Sequence, residues 1–461
     1  MRFPFAILTA MLTAVLVLSA LPVHLAAQEG LSPAFRLPDD RPRLDPQTLQ
    51  AAGLRILQAR HLVLVTDAAE ADVQGLPELA DGLFNALQQQ LPPLRPAQNN
   101  SDFQVTGFLM DAPERFTAAG LLPDGDFVIR HGRHLGYSFW MRNQPSAYYR
   151  RHLLLHEFIH CWMMCEAGMR DIPPLWFTEG LAEYFATHTT NPQQFGILPR
   201  QLDGFEGWGR IALLHEHAFG KLGYPAETIT PEPSGLTLQH VLYPTDNSFT
   251  SDLRYAQAWA LVWLLRNHPE LKGPFAAVNR TRNGRDFQAA FKNIDNKTRE
   301  RLAVVWLLML DSLEEGFDEQ RSFPQLHPSW KSLSSSSPET TLQITADRSW
   351  QPSGIHTTSE LALELTATGR CTVHDQPRPW ISEPQGITIS YHRQRPLGEL
   401  TAIIIPRDPT EPARRTSVGR NTTLMLPANT ELWLQINDTE TARAENTGHY
   451  EVRIKLTKDG P

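Results

Sequence analysis

The stretch His156-Glu157-Phe158-Ile159-His160, followed by Trp176-Phe177-Thr178-Glu179-Gly180, is the most informative part of this chain. Two histidines four residues apart project from the same side of an α-helix, because one turn takes 3.6 residues. Eighteen residues, 161–178, separate His160 from Glu179, which is enough for the helix to end, a loop to turn and a second helix to return a carboxylate. The pattern therefore predicts two neighbouring helices that bring His156, His160 and Glu179 together.

These three side chains are ligands that zinc accepts. Catalytic zinc is held in a tetrahedron by three protein ligands, usually imidazoles and carboxylates, with the fourth position open. Glu157, next to the first histidine, is placed to take a proton from a water molecule on the metal. We therefore predict a catalytic zinc site with His156, His160 and Glu179 as ligands and Glu157 as the general base.

The residues around the motif strengthen this prediction. The pattern predicts a helix over 148–164, with Pro145 near its start and Gly168 just past its end. Apolar residues cover most sides of that helix: Leu153, Leu154, Leu155, Phe158, Ile159, Trp162 and Met163. Two histidines and a glutamate inside so apolar a helix are costly to bury without a partner, and a metal satisfies all three. The alternative is a chance match on an exposed polar helix face.

The segment Leu175-Trp176-Phe177-Thr178-Glu179-Gly180-Leu181-Ala182-Glu183-Tyr184-Phe185 extends the motif. With HExxH and the eighteen-residue gap, it resembles the gluzincin metallopeptidases, the clan of thermolysin and related aminopeptidases. The closer resemblance is to peptidase-MA-like bacterial proteins of unassigned function. It implies an α+β fold, in which a mixed sheet and a helical half flank the active-site cleft.

The same resemblance implies roles for two further residues. Glu183, one turn after Glu179, corresponds to a carboxylate that hydrogen-bonds a ligand imidazole, and a solvated surface glutamate is the alternative. Tyr255, which opens the apolar segment 254–265, corresponds to a donor that stabilises the oxyanion of the substrate. That segment departs from the family pattern at Gln257 and Ala258. A packed tyrosine with its hydroxyl in water is the alternative for Tyr255, and Tyr243 is a weaker competitor.

Other features near the motif refine the prediction. Aminopeptidases of the clan carry a G-x-M-E-N segment that holds the free amine of the substrate, and none precedes the zinc motif here. An endopeptidase is therefore favoured. Residues 133–140 alternate like a strand, and by analogy with the clan they are expected to form a sheet edge that binds an extended peptide. His152 is interpreted as a helix-surface or supporting residue, because a fourth protein ligand would close the zinc site.

Composition and the N-terminus bound the class of protein. The 461 residues, 41% apolar and 20% charged, are typical of a soluble protein with two to three domains. A net charge of −8 without a basic cluster argues against a nucleic-acid partner. Residues 1–27 have the basic start, apolar run and small residues of a Sec-type signal peptide, with a retained anchor as the alternative. We therefore expect a secreted, periplasmic or cell-envelope protein with no later membrane span.

The remaining ranges complete the predicted organisation. Residues 28–60 are predicted to be an irregular lead-in with one short helical patch, 61–331 the zinc metallopeptidase-like domain and 332–344 a serine-rich linker. Residues 345–456 are predicted to form an all-β sandwich, because apolar residues alternate in four stretches. These stretches are centred on Leu363, Ile389, Leu434 and Val452.

The C-terminal region resembles the galactose-binding bacterial lectins of the PA-I type. The resemblance rests on Ile436-Asn437-Asp438, on residues 445–454 and on short segments upstream, and it implies a jelly-roll sandwich. It also implies a calcium ion and a glycan partner, with Asp438, Glu445 and Asn446 as candidate oxygen ligands. The sequence departs from that family at Ala442 and Glu445, so a sandwich that has kept only the fold is the alternative.

Two functional hypotheses follow. The favoured one is an exported zinc metallopeptidase that cleaves a peptide or protein substrate and is targeted by a carbohydrate-binding-like module. The alternative is a carbohydrate-binding cell-envelope protein whose metallopeptidase-like domain is inert. The intact set of His156, Glu157, His160 and Glu179 weighs against the second hypothesis.

Overall fold

The computed structural model describes most of the chain between residues 35 and 457. The described ranges are 35–123, 129–167, 171–190, 193–196, 210–211, 213–214, 228–229, 238–243, 251–314, 316–331, 333–334, 337–374, 378–408, 411 and 413–457. The predicted signal peptide, 1–27, lies outside the described residues. Within those ranges, no helix has both the length and the apolar character that a membrane crossing requires.

The N-terminal half is built on a five-stranded mixed sheet. Its strands are β1 (Arg55–Gln58), β2 (Leu62–Thr66), β3 (Val105–Met110), β4 (Gly132–Leu135) and β5 (Ser138–Arg142). Their order is β1-β2-β3-β5-β4. The central strands β2, β3 and β5 are parallel, and β1 and β4 pair antiparallel at the two ends. The predicted mixed sheet is present.

Two local predictions were wrong. Residues 133–140 do not form one strand, because Gly136 has a φ of 56° and turns the chain back, which separates β4 from β5. The lead-in is more regular than predicted, because β1 pairs with the buried strand β2, with Ile56 opposite Val65. Its predicted helical patch is a short helix at Pro46–Ala51.

Helices cover the sheet and form the second half of this region. In chain order they are α1 (Pro46–Ala51), α2 (Glu70–Val73), α3 (Leu76–Gln90), α4 (Pro113–Ala118), α5 (Ala147–Ala167), α6 (Leu175–Ala186), α7 (Leu238–Leu242), α8 (Asp252–Asn267), α9 (Gly284–Lys292) and α10 (Asn296–Ser312). A 3-10 turn at Val278–Arg280 follows α8, and a small hairpin of β6 (His188–Thr190) and β7 (Gln193–Phe195) follows α6. One apolar core contains residues of both the sheet and these helices.

Helix α5 carries the HExxH motif through the centre of that core. Its first turn is capped by Ser146, whose Oγ accepts a hydrogen bond from the backbone N–H of Tyr149 at 3.1 Å. Leu154, Phe158 and Ile159 have no exposed surface, so the helix is buried on several sides. The predicted bounds of 148–164 differ from the observed ones by at most three residues.

A close approach of α6 and α8 sets the second wall of the site. A Cβ on Gly180 would lie 2.3 Å from the backbone oxygen of Ala258, so a larger residue could not be accommodated without separating the helices. Glu179 precedes this contact on α6, and Tyr255 lies one turn before Ala258 on α8. The glycine of the W-x-x-E-G pattern thus lets these two side chains come from tightly packed helices.

The C-terminal region consists of two antiparallel sheets. Its strands are β9 (Glu339–Thr345), β10 (Gln351–His356), β11 (Leu361–His374), β12 (Trp380–Ser382), β13 (Gln385–His392), β14 (Arg395–Pro406), β15 (Ala413–Ser417), β16 (Asn421–Leu426), β17 (Thr430–Ile436) and β18 (Thr447–Leu456). One sheet has the order β12-β11-β18-β9 with β16 paired to β11, and the other contains β10, β17, β14, β15 and β13. A shared apolar core joins them. The predicted linker, 332–344, extends too far, because β9 begins at Glu339 and pairs with β18.

The two regions share an extensive contact. Helix α10 packs Val304 and Leu308 against Trp350, Ile403 and other apolar side chains of the β-rich region. A further strand, β8 (Thr228–Ile229), comes from the preceding region and pairs with β15. The β-rich region is therefore attached by a packed apolar interface and by backbone hydrogen bonds.

Candidate active site

The structure brings the three predicted zinc ligands together. His160 Nε2 lies 3.0 Å from His156 Nε2 and 3.1 Å from Glu179 Oε2. His156 Nε2 lies 3.3 Å from the same carboxylate oxygen. The two imidazoles come from consecutive turns of α5 and the carboxylate comes from α6, the arrangement that the spacing of the motif predicts.

This donor set fits a zinc ion in both spacing and chemistry. With zinc-to-ligand bonds of about 2.0–2.1 Å, neighbouring ligand atoms of a tetrahedron are about 3.3–3.4 Å apart, close to the spacing found here. Three atoms that all offer lone pairs repel one another at this distance unless a cation or a proton lies between them. The three residues therefore suit one zinc ion and leave the fourth ligand position to be supplied from outside.

In the absence of metal, the charges around the cluster favour a proton on His156. Burial opposes protonation of His156, but the carboxylates of Glu179 and Glu183 outweigh it and raise the pKa of His156 to about 10. Burial would raise the pKa of Glu179, but the neighbouring His160 and His156 lower it. A protonated imidazole and an ionised carboxylate thus face each other, and metal binding would release that proton.

Glu183 is buried against the predicted ligand His156, the contact that the family resemblance implies. Its Oε1 lies 3.1 Å from His156 Nδ1, and its Oε2 lies 3.0 Å from His152 Nε2 and 2.5 Å from Arg210 Nη2. An ionised carboxylate beside Nδ1 favours the tautomer whose Nε2 is free to bind metal. His152 is buried beneath this carboxylate, so of its two predicted positions the supporting one is observed and the surface one is wrong.

His152, His156 and Glu183 are also close enough to one another to hold a cation. The guanidinium of Arg210 is a fixed positive charge at the same carboxylate, and it opposes a second cation there. Burial would raise the pKa of Glu183, but Arg210 and His152 bring it well below its usual range. We therefore interpret this group as support for His156.

We expect Glu183→Gln to weaken zinc binding about 10–100-fold, the usual effect of removing a carboxylate that orients a ligand imidazole. Competition between the protein and a chromogenic chelator measures the affinity. Glu364→Gln, at an exposed position on β11, is the matched control and should bind zinc like the wild type. Unchanged zinc affinity in Glu183→Gln would contradict this role.

Glu157 is buried beside the ligands and docks on strand β4. Its Oε2 lies 3.1 Å from His134 Nδ1. Burial would raise its pKa, but the hydrogen bond with His134 and the nearby histidines lower it. Glu157 is therefore ionised at neutral pH, as a general base must be.

Tyr255 is the better placed of the two tyrosine candidates. Its ring centroid lies 6.0 Å from that of His156 in an edge-on arrangement, and the side chain is half-buried. Burial, followed by the charge of Glu179, raises the pKa of Tyr255, so its hydroxyl keeps its proton and can donate a hydrogen bond. Tyr243 is 59% exposed and lies just beyond α7.

The predicted calcium residues do not form a comparable group. Asp438 and Asn446 are buried, and Asn446 Nδ2 donates to Asp438 Oδ2 at 2.8 Å, whereas Glu445 is exposed. The buried guanidinium of Arg443 lies in the same loop, where it donates to the backbone oxygens of Ile436 and Asp438 at 2.9 and 3.0 Å. The side chain of Arg443 thus already satisfies carbonyl groups of the loop in which the resemblance implies calcium.

Comparisons with known proteins add little to this geometry. No family model matches the chain, and no curated protein matches it. A solved structure described as "EclA N-terminal domain; PllA-like lectin" aligns with 25% of this chain and 95% of its own chain, at 16% identity and a TM-score of 0.21. The chain has a mixed α+β structure with a β-rich C-terminal part.

Sequence reasoning missed three functional candidates: His134, Arg210 and Arg443. His134 lies within the predicted strand 133–140. The alternation of that segment predicts which face of the strand carries His134, but it does not predict the residue that His134 contacts. Arg210 lies 27 residues after Glu183, in a stretch that carries no motif. The contacts of His134 and Arg210 depend on chain segments whose approach is a property of the tertiary fold, whereas Arg443 makes most of its contacts within its own loop.

Proposed function

We propose that this chain is an exported zinc metallopeptidase that hydrolyses internal peptide bonds. The observation that carries the proposal is that His156 Nε2, His160 Nε2 and Glu179 Oε2 lie within 3.3 Å of one another. An ionised Glu157 lies beside them, on the helix that carries the two histidines. Hydrolysis of a peptide by a metal-activated water requires a site for a Lewis acid and a base that can accept a proton. His156, His160 and Glu179 on α5 and α6 support a site for the Lewis acid, and Glu157 on α5 supports the base.

Zinc, when bound, would polarise the carbonyl of the substrate and make a water molecule more acidic. Three side chains of the protein would carry out the other steps. Glu157 would accept the proton of the attacking water on its carboxylate and return it to the leaving amine. Tyr255 would donate its hydroxyl proton in a hydrogen bond to the developing oxyanion. Glu183 would hold the His156 ring in the orientation that exposes Nε2.

Strand β4 supports the preference for internal bonds. It lies at one end of the mixed sheet and packs against α5, so an extended substrate segment could add to the sheet there by backbone hydrogen bonds. Such pairing recognises a stretch of main chain and needs no terminal amine. This is consistent with the absence of the G-x-M-E-N segment from the sequence before the zinc helix.

We expect the purified full-length chain to contain one zinc ion and to cleave members of a mixed peptide library at internal positions. Elemental analysis measures the metal, and mass spectrometry identifies the cleavage sites. A zinc chelator should abolish cleavage, and added zinc should restore it, because the ligands remain in place.

Two variants make this experiment specific. His160→Gln should lose both zinc and cleavage, whereas His449→Gln, at an exposed position on β18, should keep both. Cleavage that survives the chelator, or a His160→Gln chain as active as the wild type, would contradict the proposed function.

A further inference from the structure

The edge strand β4 contacts the carboxylate of Glu157 at two positions. His134 Nδ1 lies 3.1 Å from Oε2 of Glu157. A Cβ on Gly132 would lie only 2.3 Å from Oε1, so the missing side chain leaves room for the other oxygen. Gly132 and His134 are the more buried residues of the strand, and Arg133 and Leu135 between and after them are exposed. One face of β4 is therefore fitted to this carboxylate.

The ring of His134 is itself held in place. It stacks on the ring of His160, with centroids 4.2 Å apart and planes inclined by 21°. An ionised carboxylate can only accept a hydrogen bond, so His134 donates from Nδ1. The side chain thus connects the proposed base to a proposed zinc ligand through one stacked contact and one hydrogen bond.

We propose that His134 is a positioning residue, which fixes the carboxylate of Glu157 for proton transfer. The inference rests on the proposed function and goes beyond it by assigning a role to the edge strand. The terminal torsion of a glutamate is broad, so without a fixed donor the carboxylate samples many orientations. Proton transfer requires the accepting oxygen to lie within hydrogen-bond reach of the proton, and His134 restricts it to such an orientation.

Two substitutions at His134 separate a positioning role from a merely structural one. Asparagine places an amide N–H near the position of Nδ1, and leucine fills similar space without a donor. We expect His134→Leu to lower kcat about 10–100-fold, with KM and zinc content within twofold of wild type, because misplacement of a reacting group has effects of this size. His134→Asn should recover most of the lost kcat. His449→Leu, at an exposed position on β18, is the matched control.

A second measurement does not depend on activity. In the metal-free chain labelled with 15N-histidine, a downfield Nδ1–H proton should report the hydrogen bond to Glu157. It should disappear in His134→Leu and move in Glu157→Ala. An inactive wild-type chain that shows this signal would contradict the proposed peptidase and support the contact. An active wild-type chain without the signal, a His134→Leu chain with wild-type kcat, or one that loses its zinc would overturn the inference.

Discussion

Glu157→Gln is expected to abolish measurable peptide cleavage while the chain still binds one zinc ion. Glutamine has almost the same shape as glutamate, and its amide oxygen can still accept the hydrogen bond that His134 makes with Glu157 at 3.1 Å. It cannot accept a proton from water, so the contribution of the general base is lost, which is worth about 10²–10⁴ in rate. Initial rates on a fluorogenic peptide taken from the library digest, with zinc content measured on the same samples, test this.

The outcome separates the roles available to this glutamate. Glu364→Gln, the exposed control, should match the wild type in both rate and zinc content. A Glu157→Gln chain that cleaves at the wild-type rate would show that another group accepts the proton. Loss of zinc in Glu157→Gln would show that Glu157 is a metal ligand. The structure argues against this, because the carboxylate of Glu157 contacts His134, whereas Glu179 lies with the two histidines.

The parts of the site that could be predicted are those set by local geometry. The spacing of His156 and His160 is a property of one helix, and the return of Glu179 requires only a short connection to α6. For the same reason the predicted helix at 148–164 differs from α5 by at most three residues at either end. Periodicity and motif spacing predict the secondary structure of a segment and the residues that share one of its faces.

What could not be predicted depends on which surfaces meet. The contact of His134 with Glu157 joins residues 23 positions apart, and it requires the turn at Gly136 that folds β4 back on β5. The alternation around Ile389 correctly indicated a strand, β13, but Ile389 and Tyr391 are 71% and 58% exposed. A period of two shows that side chains alternate, and it does not show which face is covered. The neighbouring elements decide that.

The loop that resembles a lectin calcium site faces the helical half of the chain. The backbone N–H of Glu440 donates to Glu314 Oε1 at 2.9 Å, and the side chain of Glu440 accepts a hydrogen bond from Ser322. A Cβ on Gly316 would lie 2.3 Å from the Cα of Thr441, so the two segments are in close contact. The helical half of the chain therefore covers part of this loop, at Glu440 and Thr441.

Arg443→Met is expected to destabilise the chain by about 3–5 kcal/mol, because that is the usual cost of removing one partner of a buried ion pair. The substitution leaves the buried carboxylate of Glu440, now 2.9 Å from Arg443 Nε, without that partner. It also removes the donors to the backbone oxygens of Ile436, Asp438 and Arg348. Urea unfolding followed by tryptophan fluorescence measures the loss. Arg453→Met, whose ion pair with Glu339 is at the surface, should shift the midpoint far less.

The same argument predicts how the wild type responds to lectin ligands. The buried guanidinium of Arg443 already donates to these carbonyls, and its positive charge opposes a second cation beside them, so calcium and galactose should not raise the unfolding midpoint. Their effect would be measured on the wild type and on Arg443→Met, with magnesium as the control ion. Stabilisation of the wild type by calcium, increased further by galactose, would contradict this interpretation of the loop. It would favour the alternative in which carbohydrate binding is the function.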